Sequence, residues 1–162
     1  MAVTQVVAVT NTSPLIALAA VGEVPLFDEL FDTLVVPLPV WAELSAQPGA
    51  PSIHAVLALT RARFQPPVSA PPPEAASLHE GERAAITTAL ALPGSWVLLD
   101  EKGGRAVTAS LGLSVRGTLG ILVEAKRRGL VGSLAPLLDL LRAGGFWLGD
   151  NLVKEALRQV GE

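Results

Sequence analysis

Residues 95–105 read SWVLLDEKGGR, and this stretch decides the fold. An apolar run of strand length, Ser95 to Leu99, passes straight into Asp100, and a helical pattern follows from Gly103 to Leu111. Pro93-Gly94 separates the run from an Ala-rich helix over residues 82–92. Helix, strand, acid and helix in that order are what a parallel sheet with crossover helices requires.

Working outward, the same order recurs. In VVAVTNTSPLI (residues 6–16) the first strand is expected from Gln5 to Val9, a near-continuous β-branched run suited to burial on both faces. Thr12 or Ser13 can cap the next helix, and Pro14 suits its first turn. A short helix at 25–31 leads to a second strand at 33–36, Pro39 opens a helix holding Trp41 and Glu43, and a further helix is expected at 53–63. Five prolines in the eight residues 66–73 make that stretch an irregular connector. Beyond Asp100 come a strand at 113–116 and a helix at 119–128, capped by Thr118 and stopped by Gly129. Helices at 134–143 and 151–160 follow, with Ser133 and Asp150 as caps. Neither side of the proline-rich stretch holds a complete set of strands, so one domain over residues 1–162 is expected.

Half of the 162 residues are hydrophobic and 17% are charged, which is too apolar for disorder. No apolar run reaches the roughly 18 residues that a membrane span needs. The absence of cysteine excludes disulfides and thiolate metal sites. The start MAVTQVVAVT carries no basic segment of a secretory signal, so a cytoplasmic location is expected. A net charge of −3 gives no whole-molecule pull toward nucleic acid. The apolar content, with helices 15–20 and 134–141 apolar on more than one face, points to a homodimer, the alternative being that both helices are central to the core.

The chemistry lies at the carboxyl ends of the strands, where α/β sheets bind ligands. Glu43, Glu82 and Asp100 fall there or on the helices that follow, and Asn11 closes the first strand. Converging carboxylates suit a hard divalent cation, which can sharpen a water nucleophile and offset charge on a phosphate. Each acid also has a structural alternative: Asp100 as a helix cap, Glu82 as a complement to a helix dipole, and Glu43 on a solvated face. Lys102 and Arg105 flank Asp100 and suit a phosphate. No nucleotide-binding glycine pattern is present, which disfavours a small-ligand doubly wound domain.

The segments NTSPLI, VWAEL, HEGERAAI, LLDEKGGRA and, most specifically, GTLGILVEAKRRGL resemble the PIN-like DUF3368 group, a relative of VapC-type toxins, over nearly the whole chain. The resemblance implies a three-layered α/β/α sandwich with a mainly parallel sheet and a metal-dependent endoribonuclease of a toxin–antitoxin pair. It implies Glu43, Glu82 and Asp100 as catalytic acids, and Asn11, Glu43, Glu82 and Asp100 as ligands of Mg²⁺ or Mn²⁺. Thr12, Ser13, Lys102, Arg105 and Thr118 are the implied substrate contacts, with RNA, an antitoxin protein and a second copy of the chain as partners. Asn11 departs from the family's acid at the first strand: an amide oxygen can ligate Mg²⁺ but brings no charge. Two readings follow, a three-acid nuclease and a module that keeps the fold without cutting. Convergence of the three carboxylates favours the first, and scattered acids the second.

Overall fold

The computed structural model describes residues 4–47, 52–66 and 68–162. Among these, β1 (Val7–Thr10), β2 (Thr33–Pro37), β3 (Ala62–Gln65), β4 (Trp96–Leu98) and β5 (Ser114–Arg116) form one parallel sheet in the order β3-β2-β1-β4-β5. Ala8 pairs with Leu34 and Trp96, and Val9 with Val35 and Val97. The central strands β1, β2 and β4 are buried on both faces, and their side chains alternate accordingly. Ala8, Leu34, Val36 and Leu98 enter one core with Leu15, Leu18, Phe27, Ile121 and Leu122, while Val9, Val35, Val97 and Leu99 enter a smaller one with Ala85 and Ala89.

That alternation makes the three layers. α1 (Thr12–Ala20), α2 (Leu26–Leu30), α7 (Thr118–Arg127) and α8 (Ala135–Ala143) pack on the first face. α5 (Glu80–Leu90) packs on the second. α3 (Leu38–Ser45), α4 (Ser52–Leu57), α6 (Lys102–Ser110) and α9 (Asp150–Gln159) complete the chain. The expected α/β/α sandwich is what forms, and no helix among the described residues is long and apolar enough to cross a membrane.

The chain steps outward from β1 to β2 and β3, then returns to place β4 and β5 on the other side. The direction reverses between β1 and β4, and the loops leaving their carboxyl ends part to open a crevice. The Asn11 backbone N–H donates to Leu98 O at 3.0 Å, so the residue after β1 is tied to the end of β4.

The helix expected at 53–63 is instead α4, ending at Leu57, followed by edge strand β3. The Asp28 carboxylate from α2 accepts the N–H groups of Thr60 and Arg61 at 2.8 and 3.0 Å, which turns the chain into line with β2. Phe64 then stacks edge-on against Trp41, ring centroids 5.0 Å apart. Several expected caps also work differently. The Glu162 carboxylate, rather than Ser133, accepts the Leu134 and Ala135 N–H groups at the start of α8. Within the connector at 66–73, Pro67 lies outside the described residues, and Pro73 begins a short 3-10 turn. α1 lies in the core, with Leu15 and Leu18 fully buried, so its apolarity needs no dimer; on α8, Leu140 is exposed while Leu138 and Leu141 are buried.

Candidate functional site

Asn11 sits at the crevice, 4% exposed. It is the N-cap of α1, yet its side chain makes no cap hydrogen bond. Asn is among the best caps because its oxygen accepts from the first turn; here the side chain points into the crevice instead. Its Nδ2 donates to Glu101 Oε2 at 3.2 Å, and its Oδ1 is buried without a partner.

The unpartnered oxygen faces a hollow over Gly81, in the first turn of α5. A Cβ built on Gly81 would lie 2.8 Å from Asn11 Oδ1 and 2.8 Å from Glu43 Oε2. Pro39 in the first turn of α3 starts that helix directly after β2, which brings Glu43 round to this point. Two acceptor oxygens, one of them on a carboxylate, thus share one small space with no donor between them. The hollow opens into a pocket of about 360 Å³ lined by Glu43, His79, Glu80 and Gly81.

Glu82, 4% exposed, divides its carboxylate between two tasks. Oε2 accepts the His79 backbone N–H at 3.1 Å, which is half of a capping box and matches the structural alternative for this residue. Oε1 turns toward α6, where a Cβ on Gly104 would come within 2.6 Å of it.

Asp100 is also a cap, but of a helix other than the one that follows it. Its Oδ1 accepts the Thr118 N–H and its Oδ2 the Thr118 hydroxyl, each at 2.7 Å, so it closes the start of α7. The residue as a whole is exposed, while its carboxyl tip is enclosed by Thr118, Gly117 and Arg105. Burial of that tip raises its pKa above the ordinary 3.8; the Thr118 bonds and Arg105 act against the rise, and Glu101 adds to it.

Ser13, Asp100, Lys102 and Arg105 line a second, larger groove of about 930 Å³ that reaches Trp147 and Leu152. Thr12 and Thr118 are buried, 3% and 5% exposed, and the Thr118 hydroxyl is committed to Asp100. Thr12 does not reach the groove, whereas Thr118 lines it with the small part of its surface that is exposed. Glu101 is the residue that sequence reasoning missed. One of its oxygens accepts the Ser13 hydroxyl and the other the Asn11 amide. Its only signal was its place directly after Asp100.

The structure therefore joins Asn11 to Glu43 and, on its other side, to Glu101. It does not gather Glu43, Glu82 and Asp100 at one point: among the described residues no three Asp, Glu or His side chains are arranged to hold a metal. In donor type the Asn11–Glu43 hollow does fit a hard divalent cation, since it offers oxygen alone and leaves one oxygen unpaired and buried. Mg²⁺ commonly takes only one or two protein carboxylates and keeps several waters.

A family model described as DUF3368, a PIN domain, matches residues 7–162. No curated protein matches the chain.

Proposed function

The chain belongs to the DUF3368 family of PIN domains, a nuclease-type fold, and from that premise we propose that it is an endoribonuclease dependent on Mg²⁺ or Mn²⁺. The observation that carries this reading is the pair of acceptor oxygens, Asn11 Oδ1 and Glu43 Oε2, facing one hollow with no proton to share. Such an arrangement is unfavourable for Asn11, whose oxygen is buried without a donor beside the negative charge of the exposed Glu43, and a cation relieves it. Asn11 and Glu43 would hold the ion, while Glu82 and Asp100, which do not converge with Glu43 on one point, would lend negative charge from elsewhere along the same sheet edge. When bound, the ion would supply an activated water and charge compensation on the scissile phosphate.

The remaining residues bind and orient. Lys102 and Arg105 line the groove beside Asp100 and suit the phosphates of an RNA strand, Arg through its planar fork of donors. Ser13 keeps Glu101 in place, and Thr118 does the same for Asp100. The role of toxin in a toxin–antitoxin pair belongs to the same proposal. It is supported by the resemblance of the sequence to relatives of VapC-type toxins and by the exposed apolar side chains of Leu140, Trp147 and Leu152, 53%, 86% and 59% exposed, which suit an antitoxin or a second copy of the chain. Light scattering at micromolar concentration tests the homodimer, and a mass of 16.8 kDa would exclude it.

The direct test of activity is cleavage of RNA by pure protein, titrated with Mg²⁺ and Mn²⁺ against EDTA, with Asp100→Asn and Glu43→Gln as controls. Metal-dependent cleavage lost in both variants is the expected result. A second reading, a PIN module that binds without cutting, is favoured by two observations: Glu43, Glu82 and Asp100 do not converge on one point, and both oxygens of Asp100 are already taken by Thr118. No cleavage and no Mn²⁺ binding at millimolar concentration would select it.

A further inference from the structure

Glu101 is the acid at this edge that the metal reading leaves unused. It follows β4 and opens α6 as its N-cap, but makes no cap hydrogen bond there. Its carboxylate is turned back across the crevice instead, to the Ser13 hydroxyl through one oxygen and to Asn11 Nδ2, 3.2 Å away, through the other. Two residues at N-cap positions, Asn11 and Glu101, thus both forgo the cap and meet each other.

An amide has a donor end and an acceptor end, and a carboxylate accepts only. Asn11 lies between two carboxylates, Glu101 and Glu43, so its NH₂ satisfies one and its oxygen is left opposing the other. We infer that Glu101 is a positioning residue: it takes the Asn11 NH₂, turns Oδ1 toward Glu43 and the Gly81 hollow, and supplies beside the first strand the negative charge that Asn11 does not carry. The cation-binding part of this inference rests on the metal reading above, whereas the orientation of the Asn11 amide does not. Ser13 donates to the other oxygen of Glu101, so the carboxylate is held at both oxygens. Asn at position 11 and Glu at position 101 are then a matched pair. A lone carboxylate at position 11 would face Glu101 Oε2 across the present 3.2 Å contact with no proton between them. Restoring an acid at position 11 alone therefore does not improve the site, although the sequence by itself suggests that it should.

The test is a four-protein cycle of wild type, Glu101→Gln, Asn11→Asp and the double exchange. It is read as Mn²⁺ affinity by calorimetry and as melting temperature in EDTA. Removal of an outer partner of a metal ligand typically weakens binding about 10- to 100-fold, and Glu101→Gln is expected in that range. Asn11→Asp alone is expected to lower the melting temperature and to leave Mn²⁺ binding no tighter than wild type. The double exchange is expected to recover both, because the new amide donates to the new carboxylate across the same contact. Additive effects in both readouts overturn the pairing. So does Asn11→Asp binding Mn²⁺ more tightly than wild type, and in either case the nuclease reading stands if Mn²⁺ still binds. Coupled melting temperatures with no Mn²⁺ binding in any of the four proteins uphold the pairing and sink the metal reading instead.

Discussion

The two banks of the crevice treat their polar groups in opposite ways. On the Asp100 bank every carboxylate oxygen has a donor: Thr118 offers its N–H to one and its hydroxyl to the other, each at 2.7 Å. On the Asn11 bank, Oδ1 is buried without a partner and lies against Glu43 over Gly81. A satisfied group holds a fold together, whereas an unsatisfied one must be compensated from outside or counted as a cost. Substitutions on the Asn11 bank should therefore trade function for stability, and those on the Asp100 bank should separate the two roles of one residue.

The largest effect is expected at Glu43. Glu43→Gln removes the charge facing Asn11 and supplies an NH₂ that can donate to Oδ1. Metal affinity should fall by at least about 10-fold and cleavage with it, since the variant loses an oxyanion ligand. Stability should rise by about 1 kcal/mol, the usual net worth of one added hydrogen bond. Calorimetry with Mn²⁺ and a urea titration check both halves. A variant that loses stability would mean that Glu43 is structural.

The glycines sharpen the contrast. Gly81→Ala puts a methyl group 2.8 Å from Asn11 Oδ1 and Glu43 Oε2, the ends of two side chains, one of them exposed. The chain can yield there, and Ala gains up to about 1 kcal/mol over Gly inside a helix. Near-unchanged stability with Mn²⁺ affinity reduced about 10-fold or more is expected, because the hollow is filled. Gly104→Ala meets Glu82 Oε1 at 2.6 Å and Leu99 Cδ2 at 2.7 Å, both on buried side chains. It should destabilise by about 1–3 kcal/mol, the ordinary range for overpacking. Equal melting temperatures for the two variants would erase the distinction.

Asp100 carries both roles, and pH separates them. Its pKa is raised above 3.8, chiefly by burial, so the folded protein holds the proton more readily than the unfolded chain. The stability contributed by this group is fully present below 3.8 and is lost as pH rises through the folded value. Asp100→Asn keeps an acceptor for the Thr118 N–H and removes the buried charge. The variant should therefore gain stability relative to wild type as pH is raised from about 4 to 7, while losing metal-dependent cleavage. Asp100→Ala, which also discards the cap, should cost about 1 kcal/mol. Parallel melting curves across that pH range would show that burial does not govern this carboxyl.

Much of this architecture was legible in the sequence because strands buried on both faces leave uninterrupted apolar runs, as at VVAV and WVLL. β3 was not, because ARFQ is an edge strand with an exposed Arg63 and a half-covered Phe64, and its pairing with β2, the Asp28 contacts and the Trp41 ring, all from distant segments, hold it in line. The positions of Asn11, Glu43, Glu82 and Asp100 at the strand ends were readable from spacing. Their hydrogen bonds were not, since these depend on contacts between distant segments. Nothing near Asp100 in sequence indicates that it caps a helix starting at Thr118, and nothing near Asn11 indicates that Glu101 faces it.

Thr118 offers the smallest and most discriminating test of the Asp100 bank. Buried and bonded to Asp100 through its hydroxyl, it is expected to act on the carboxyl rather than on a substrate. Thr118→Val keeps the backbone N–H bond and removes the hydroxyl bond, so the expected loss of stability is about 0.5–1.5 kcal/mol. The bonds from Thr118 are the strongest influences holding the Asp100 pKa down against burial, and losing one lets it rise further. The acidic limb of a cleavage–pH profile should then move to higher pH, with KM for RNA unchanged and Thr118→Ser restoring the wild-type profile. A substrate contact would give the opposite pattern: KM would rise and the pH limb would stay in place, and Thr118 would then act on RNA through the groove it lines instead of on the carboxyl beside it.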